Sequence, residues 1–355
     1  MNQYSKINNW IKDRLQWNTV KDFLFKKDVP LHKHSFWYYC GGFTLFFLII
    51  QAVTGMLLLF YYKPSIEDAH ASIVYITNTV AFGSLIRSLH SWSASLLIFC
   101  VSVHMFSLFF LKAYRKPREL LWMSGIIIFL LILGFGFTGY LLPWNELSYF
   151  GTLVGLAEME KFPLIGSALA HYLKGGNHIS SSTLTRMFAV HTGLLPLLTI
   201  FFLGIHLVLN RTNEYSIPIG IKNNNEPFRF YKDFFYRASI GWLVLLALVF
   251  TLAVLLPKDT GKAFDIYNLT EPPSGIHPEW YFMFLFQTLK SESVIPPIIT
   301  VLLISLFSLF WFFVPLLDKK AAREMKSLAF TLIGVLILTY IIIMTYLAYK
   351  GAGKI

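Results

Sequence analysis

The sequence predicts an all-α integral membrane protein with seven transmembrane helices, four in an N-terminal bundle and three that follow it. Only 14% of its 355 residues are charged and 55% are hydrophobic, whereas soluble domains carry roughly 25% charged residues. Seven apolar runs reach the length of about 20 residues that crosses a bilayer as a helix. They lie at residues 36–62, 84–111, 120–142, 187–210, 237–256, 295–317 and 328–349.

Lysine and arginine residues predict the orientation of these helices, because cytoplasmic loops of membrane proteins are enriched in both. An N-terminus in the cytoplasm places twenty of the thirty basic residues on the cytoplasmic side. They lie in segments 1–35, 112–119, 211–237 and 318–327. The net charge of +11 is therefore explained by topology and lipid contact. No soluble basic face is evident, so nucleic-acid binding is not expected.

The chain is predicted to have four parts. Residues 1–35 interleave apolar and basic side chains, which predicts an amphipathic helix on the cytoplasmic surface. Residues 36–210 are a four-span N-terminal domain, residues 211–230 a polar linker and residues 231–355 a three-span C-terminal domain.

Two connections carry shorter apolar segments. The long connection at 143–186 has two of them, and long ordered loops are usually functional. A proline-rich connection between spans five and six contains an amphipathic piece at 280–289. Because this piece is too short to cross a bilayer, it predicts a surface or re-entrant helix.

Four histidines inside the apolar runs form two pairs along the chain. His90 and His104 are 14 residues apart, and His191 and His206 are 15 residues apart. At 1.5 Å and about 100° per residue, the members of each pair share one helix face and are separated by roughly 21–22 Å. In the predicted topology both helices run from outside to inside. The outer pair is then His90 with His191, and the inner pair is His104 with His206.

Each cross-helix pair suits the axial ligation of a haem iron. A zinc or non-haem iron site would be expected to have carboxylate or thiolate ligands nearby. Spans two and four contain no Asp or Glu. Arg87 lies one turn before His90, where an unpaired charge is costly, so a haem propionate is its expected partner. Hydrogen-bonded packing is the alternative role for any single one of the histidines.

Glycines in the neighbouring spans repeat the histidine spacing. Gly41 and Gly55 in span one are 14 residues apart, and so are Gly125 and Gly139 in span three. Close helix packing is the ordinary role of glycine in a membrane helix. The shared spacing favours a further role, which is to let a flat macrocycle approach the backbone at two depths.

Ordered motifs along nearly the whole chain resemble the cytochrome b family, the quinone-binding core of cytochrome bc1 and b6f complexes. The seven spans and the 15-residue histidine spacing resemble its cytochrome b6 side, with cytochrome b6 and subunit IV fused into one chain. The motifs are IRSLHSWSAS at 86–95, KPREL at 116–120, GYLLPW at 139–144, STLTR at 182–186 and PEWY at 278–281.

The resemblance implies two haem b cofactors and bifurcated oxidation of quinol. At the outer side, quinol would give one electron to a Rieske iron–sulfur protein and the other to the outer haem. That second electron would cross to the inner haem and reduce quinone there. The other implied partners are a cytochrome c1-like, f-like or other c-type cytochrome and a second copy of the complex in a homodimer. A bacterial-type inner membrane is the implied location.

The resemblance also implies roles for residues at the two quinone sites. Glu279 would accept a proton at the outer site, with Tyr281 and Tyr140 in the wall of the same pocket. Capping of a short helix is the alternative role for Glu279. At the inner side, Asp233 would help to protonate reduced quinone, and Arg211 would lie near the haem or the quinone. The alternative for Asp233 is a solvated carboxylate at a helix start.

Cys40 is a candidate for a third, covalently attached haem. Cytochromes of the b6 type hold such a haem by one thioether bond to a cysteine ahead of span one. In the family pattern that cysteine lies two residues before the first glycine, where this chain has Tyr39, whereas Cys40 directly precedes Gly41. One residue rotates a helical side chain by about 100°, so a small buried thiol is the alternative.

Two other functions compete with quinol oxidation. A two-haem membrane anchor of a dehydrogenase would need four or five spans and no second half. A seven-span transporter with histidine relays would place broken helices and charges at the membrane midplane, where these spans carry few charges.

Overall fold

The computed structural model of the chain describes residues 28–213, 215–218, 221, 228–265, 278–290, 296–318 and 327–352. Within this part of the chain the regular secondary structure is helical, and the β-structure is limited to two isolated bridges. The predicted surface helix at 1–35 lies largely outside the described residues, and so does much of the linker at 211–230. The α-helices are α1 Tyr39–Leu59, α2 Ala69–Asn78, α3 Gly83–Phe110, α4 Glu119–Leu141, α5 Glu146–Glu160, α6 Gly166–Lys174, α7 Ser181–Ala189, α8 Leu195–Thr212, α9 Phe235–Leu255, α10 Met283–Lys290, α11 Pro297–Leu317 and α12 Leu328–Ala352.

Among the described residues, seven helical segments are long and apolar enough to cross a membrane, which confirms the predicted spans. Span one is α1 with a preceding 3₁₀ turn, and spans two and three are α3 and α4. Span five is α9 with part of the π turn that precedes it. The fourth span, Ser181–Thr212, combines α7 and α8 and begins earlier than the apolar run at 187–210 predicts. Its start is capped, because the Thr183 hydroxyl accepts a hydrogen bond from the Ser180 amide at 2.9 Å.

A wide turn interrupts the fourth span. Residues Val190–Leu194 form a π-helical turn between α7 and α8, and His191 lies within it. Because a π turn takes up one residue more than an α turn, the 15 residues from His191 to His206 cover the rotation that 14 residues cover elsewhere. The π turn thus explains why the two histidine spacings differ by one residue.

The long connection at 143–186 is ordered, as predicted, and contributes α5 and α6. Asn145 caps α5, since its side-chain oxygen accepts from the Ser148 amide at 2.9 Å. The fully buried Trp144, Leu156 and Leu184 belong to a core cluster that joins this connection to the fourth span. The predicted short amphipathic piece is also helical, as a 3₁₀ turn at Trp280–Phe282 followed by α10.

The two halves of the chain are held together by polar contacts as well as by apolar packing. At one end, the indole of Trp92 donates to the Leu256 carbonyl at 2.8 Å. At the other, Asp318 after α11 accepts from Tyr114 at 2.8 Å and pairs with Arg115 at 2.8 Å. The Arg115 and Asp318 side chains are only 5% and 1% exposed. Buried ion pairs need such additional hydrogen bonds.

Candidate functional site: two imidazole pairs and a tyrosine–glutamate pocket

The four histidines form two cross-helix pairs at opposite ends of the first four spans. The first end holds His90 on α3 and His191 in the π turn, whose ring centroids are 6.4 Å apart with planes at 71°. At the second end, His104 lies within electrostatic range of His206. A metal bonded to an imidazole nitrogen at roughly 2 Å on each side would hold two ring centroids about 6 Å apart. The pair at the first end therefore has the separation that bis-histidine ligation requires.

Three of the histidines share the same kind of hydrogen bond. In each, the ring Nδ1 faces the hydroxyl of a serine or threonine on the neighbouring glycine-bearing helix. The distances are 2.9 Å between Thr54 and His90, 3.1 Å between Thr138 and His191 and 3.0 Å between Ser124 and His206. The recurrence at three separate sites indicates a common orienting role.

The proton of each of these hydroxyls is already committed to a carbonyl of its own helix. The donations are from Thr54 to Ile50 at 2.7 Å, from Thr138 to Gly134 at 2.8 Å and from Ser124 to Leu121 at 3.0 Å. Each hydroxyl oxygen can therefore only accept from the imidazole, which fixes the proton on Nδ1. Nε2 is left with a free lone pair, the group that ligates a metal.

The four predicted glycines each lie against one of the four histidines. An added Cβ at Gly41 would lie 3.1 Å from Cε1 of His104, and one at Gly139 would lie 2.7 Å from Cε1 of His191. The corresponding distances are 3.3 Å between Gly55 and His90 and 3.1 Å between Gly125 and His206. The contact at Gly139 is too tight for a side chain, and the other three are tighter than most Cβ contacts. The glycines therefore admit the imidazole edges as well as allowing close helix packing.

Arg87 is held at the first end with part of its hydrogen-bonding capacity unused. Its guanidinium donates to the backbone carbonyl of Lys258, and it lies within electrostatic range of Asp259. Its Nε is buried and has no partner among the described residues. An unpaired donor one turn from His90 is suited to an anionic group, which fits the propionate of a haem ligated there.

The structure brings Glu279, Tyr140 and Tyr281 together at the first end. Glu279 lies within electrostatic range of both tyrosines. It is the N-cap residue of the 3₁₀ turn, yet its side chain makes no capping hydrogen bond. The carboxylate is therefore not used as a helix cap. Burial raises the pKa of Tyr281, and the neighbouring Glu279 and Tyr140 raise it further, so this phenol stays protonated.

Glycines also make room for the two tyrosines of this pocket. An added Cβ at Gly136 would lie 2.7 Å from the Tyr281 hydroxyl oxygen, and one at Gly151 would lie 2.6 Å from the Tyr140 ring. Gly136 is on α4 and Gly151 on α5. The long connection at 143–186 thus forms part of the pocket wall.

The residues predicted at the inner quinone site lie near the second end. Asp233, in a π turn that opens the fifth span, accepts a hydrogen bond from the Arg229 amide at 3.0 Å. This carboxylate therefore serves as a helix-start cap. Arg211 is in the last turn of α8 and lies within electrostatic range of Tyr215. Burial raises the pKa of Tyr215 to about 12, although Arg211 lowers it.

Cys40 is buried on α1, next to Gly41, with 5% of its surface exposed. Tyr39 occupies the position at which the family pattern places the haem-bearing cysteine, and its ring stacks on Phe234 at 4.3 Å between centroids with planes at 5°.

The hydroxyl residues and Gly136 were missed by reasoning from the sequence. A signal for the hydroxyls was present, since Thr54, Ser124 and Thr138 each directly precede a predicted glycine. For Gly136 no spacing rule applied, because its partner, Tyr281, lies in the other half of the chain.

Comparison with known proteins identifies the family. The protein-family model "Cytochrome b/b6/petB" matches residues 26–214. The family model "Cytochrome b(C-terminal)/b6/petD" matches residues 267–354. A curated cytochrome bc complex cytochrome b subunit of Chlorobaculum thiosulfatiphilum is 44% identical over 348 residues, which are 97% of this chain and 81% of that relative. The chain belongs to the cytochrome b family. As a cytochrome b it binds haem b, and it is a multi-pass membrane subunit of a bc-type oxidoreductase complex.

A solved structure supports the same assignment. A chain of a structure named "Hyperthermophilic respiratory Complex III" superposes with a TM-score of 0.82 at 27% identity. The match covers 96% of this chain and 91% of the solved chain. Both halves of this cytochrome b therefore share their fold with that protein.

Proposed function

We propose that this chain is the two-haem subunit of a quinol-oxidising complex, in which both halves, at 36–210 and 231–355, act together. Quinol is oxidised at the first end, which faces outward, and quinone is reduced at the second end, which faces the cytoplasm. Each oxidised quinol releases two electrons and two protons. One electron goes to a Rieske iron–sulfur protein, and the other crosses the membrane.

The observation that carries this proposal is the position of Glu279. Its carboxylate lies beside Tyr140 and Tyr281 at the same end as His90 and His191, and it is not used as a helix cap. A carboxylate in such a pocket can take a proton from quinol while an electron leaves toward the adjacent imidazole pair.

Two bound haems supply one-electron transfer between the ends of the bundle. The chain would hold them through Nε2 of His90 with His191 and of His104 with His206, while Arg87 would bind a propionate. Because the chain offers two imidazoles to each iron, the sites are suited to electron transfer and not to oxygen activation.

The transferred electron works against the membrane potential. Moving one charge across 100 mV costs about 2.3 kcal/mol if it crosses the whole field. After two turnovers, two electrons and two protons convert a quinone to quinol at the second end. There Asp233, which caps the helix start through one carboxylate oxygen, helps to protonate the reduced quinone. Arg211 lies near the quinone or a haem propionate. Release of protons outside and their uptake inside store this work.

The partners follow from the same reaction. A c-type cytochrome, like cytochrome c1 or f, accepts the electrons that the Rieske protein carries away. The complex is a homodimer in a bacterial-type cytoplasmic membrane, with the N-terminus of this chain inside.

A Glu279→Gln variant tests the role of the outer pocket. The amide cannot accept a proton, so quinol-driven reduction of the c-type acceptor is expected to fall on the order of 100-fold, while both haem spectra stay normal. Glu67→Gln is the control, because Glu67 is an exposed carboxylate. An unchanged rate would refute the assignment, and a lost haem spectrum would instead mean a structural role.

A further inference from the structure

One of the four histidines lacks the hydrogen bond that the other three have. His90, His191 and His206 each donate through Nδ1 to a hydroxyl that directly precedes the facing glycine. His104 faces Gly41 in the same way. Its Nδ1 is nevertheless buried without a hydrogen-bond partner among the described residues.

The residue before Gly41 accounts for this difference. Cys40 stands where Thr54, Ser124 and Thr138 stand before the other glycines. A thiol is only a weak hydrogen-bond acceptor. Its presence at the fourth position leaves the imidazole of His104 without the strong acceptor that orients the other three.

A hydrogen-bond acceptor for Nδ1–H affects the reduction potential of the bound metal as well as the orientation of the ring. Donation of this proton raises the basicity of Nε2, and a more basic ligand favours the oxidised iron. Of the two sites, the first end has two such donations and the second end has one. A haem held at the second end is therefore easier to reduce than it would be with a hydroxyl at residue 40.

We infer that Cys40 controls the basicity of His104 by supplying no strong hydrogen-bond acceptor to its Nδ1. The missing hydrogen bond raises the reduction potential of the haem at the second end and so favours electron flow toward it. This inference rests on the proposed function only for the direction of flow. The hydrogen-bond asymmetry itself belongs to the second end, whichever side of the membrane that end faces.

Covalent attachment of a third haem is the alternative role for Cys40. The thiol is buried beside Gly41, one residue from the position at which a family thioether is formed. That position holds Tyr39, whose ring is stacked on Phe234. Covalent attachment is therefore an outcome of the test that would overturn the inference.

A Cys40→Ser variant of the purified complex tests the inference by redox titration of the haem absorbance. The serine oxygen supplies the missing acceptor, so one haem component is expected to become harder to reduce by roughly tenfold in its equilibrium constant, about 59 mV for one electron. The other component should not move, and haem content should be unchanged. Cys40→Ala is the matched control, since it supplies no acceptor and should leave both potentials as they are.

The reciprocal swap at the first end completes the test. Thr54→Cys removes the acceptor from His90 and is expected to shift the other component in the opposite direction. Unshifted potentials in Cys40→Ser, or equal shifts in Cys40→Ser and Cys40→Ala, would overturn the inference. A covalently attached haem at Cys40 would also overturn it. Such a haem would remain with the wild-type chain on a haem-stained denaturing gel after acid–acetone extraction, and the stain would be absent from Cys40→Ala. Failure of the proposed function is distinguishable, because it would appear in the wild type as absent quinol oxidation.

Discussion

At the scale of single residues, a hydroxyl whose proton is committed to a backbone carbonyl can only accept. Thr54 therefore fixes which nitrogen of His90 carries a proton, and Thr138 does the same for His191. Ligating histidines commonly depend on such a partner for their tautomer and ring orientation. The consequence is that Nε2 carries a free lone pair before any metal is bound.

A Gly136→Ala variant is expected to impair quinol oxidation while both haems are kept. The new Cβ would lie 2.7 Å from the Tyr281 hydroxyl oxygen, so the tyrosine side chain must move from its present position in the pocket. A displacement of about 1 Å can cost on the order of 100-fold in rate. The measurement is steady-state quinol oxidation alongside the haem spectrum.

The control for this prediction is on the same helix. At Gly134 a Cβ would lie 3.5 Å from Leu195, an ordinary contact, so Gly134→Ala should keep near-normal activity. Equal activity of the two variants would contradict the proposed contact between Tyr281 and the pocket wall.

The residues that sequence reasoning found are those with a spacing along one helix. Histidines and glycines repeating at 14 or 15 residues reveal a shared face, because helix geometry converts spacing into direction. Contacts between helices leave no such trace. A Ser or Thr in a membrane helix ordinarily bonds to its own backbone, so Thr138 looks the same in sequence whether or not it meets His191.

At the scale of elements, the π turn at Val190–Leu194 keeps the fourth span in register with its neighbours. The four histidines must meet four glycines at two depths, and three of the four helices do so with a 14-residue spacing. The extra residue in the fourth span is taken up in the turn that contains His191. Single-turn π-bulges are frequent at functional sites.

Deletion of Gly193 tests this account of the π turn. Gly193 lies within the turn and has no neighbour within 4 Å of an added Cβ. Its removal should convert the turn to regular α-helix and retain both haem components in the absorbance spectrum.

Deletion of Gly204 is the matched comparison, because Gly204 also has open space around it but lies in the regular helix α8. With the π turn intact, this deletion rotates His206 by about 100° relative to His191, so one haem component should be lost. The opposite pattern, in which only the Gly193 deletion loses a haem, would contradict the role of the turn.

Element boundaries were predicted well where apolar length decides them and less well where capping does. The spans follow from hydropathy because a bilayer requires about 20 apolar residues. The start of the fourth span at Ser181 does not, since its first turns carry Ser, Thr and Arg and are packed against the connection at 143–186. The only sequence signal for the π turn was the 15-residue spacing between His191 and His206, which is one residue longer than the other spacings.

At the scale of the whole molecule, the two halves meet through a buried ion pair. Arg115 lies between spans two and three and Asp318 after span six, and Tyr114 adds a hydrogen bond to the same carboxylate. Breaking a buried pair on one side leaves a charge without compensation. The division of the chain into two parts is a prediction from the sequence, whereas this contact between the parts could not be predicted from it.

An Asp318→Asn variant is expected to destabilise the folded protein by about 3–5 kcal/mol, because Arg115 would remain buried and charged. The measurement is the free energy of unfolding in detergent, followed by circular dichroism.

Lys262→Gln serves as the control for that variant. It removes an ion pair with Glu146 in which the lysine is 73% exposed, and such pairs contribute less than about 1 kcal/mol. Equal stabilities of the Asp318 and Lys262 variants would show that the buried pair does not join the halves.

The central claim is that each haem is held by histidines from two different helices. Redox titration of the haem absorbance in four single variants, His90→Leu, His191→Leu, His104→Leu and His206→Leu, tests it most directly. We expect two components in the wild type. The same component should be lost in the His90 and His191 variants, and the other should be lost in the His104 and His206 variants. A single component in the wild type, or loss of the same component in the His90 and His104 variants, would contradict it.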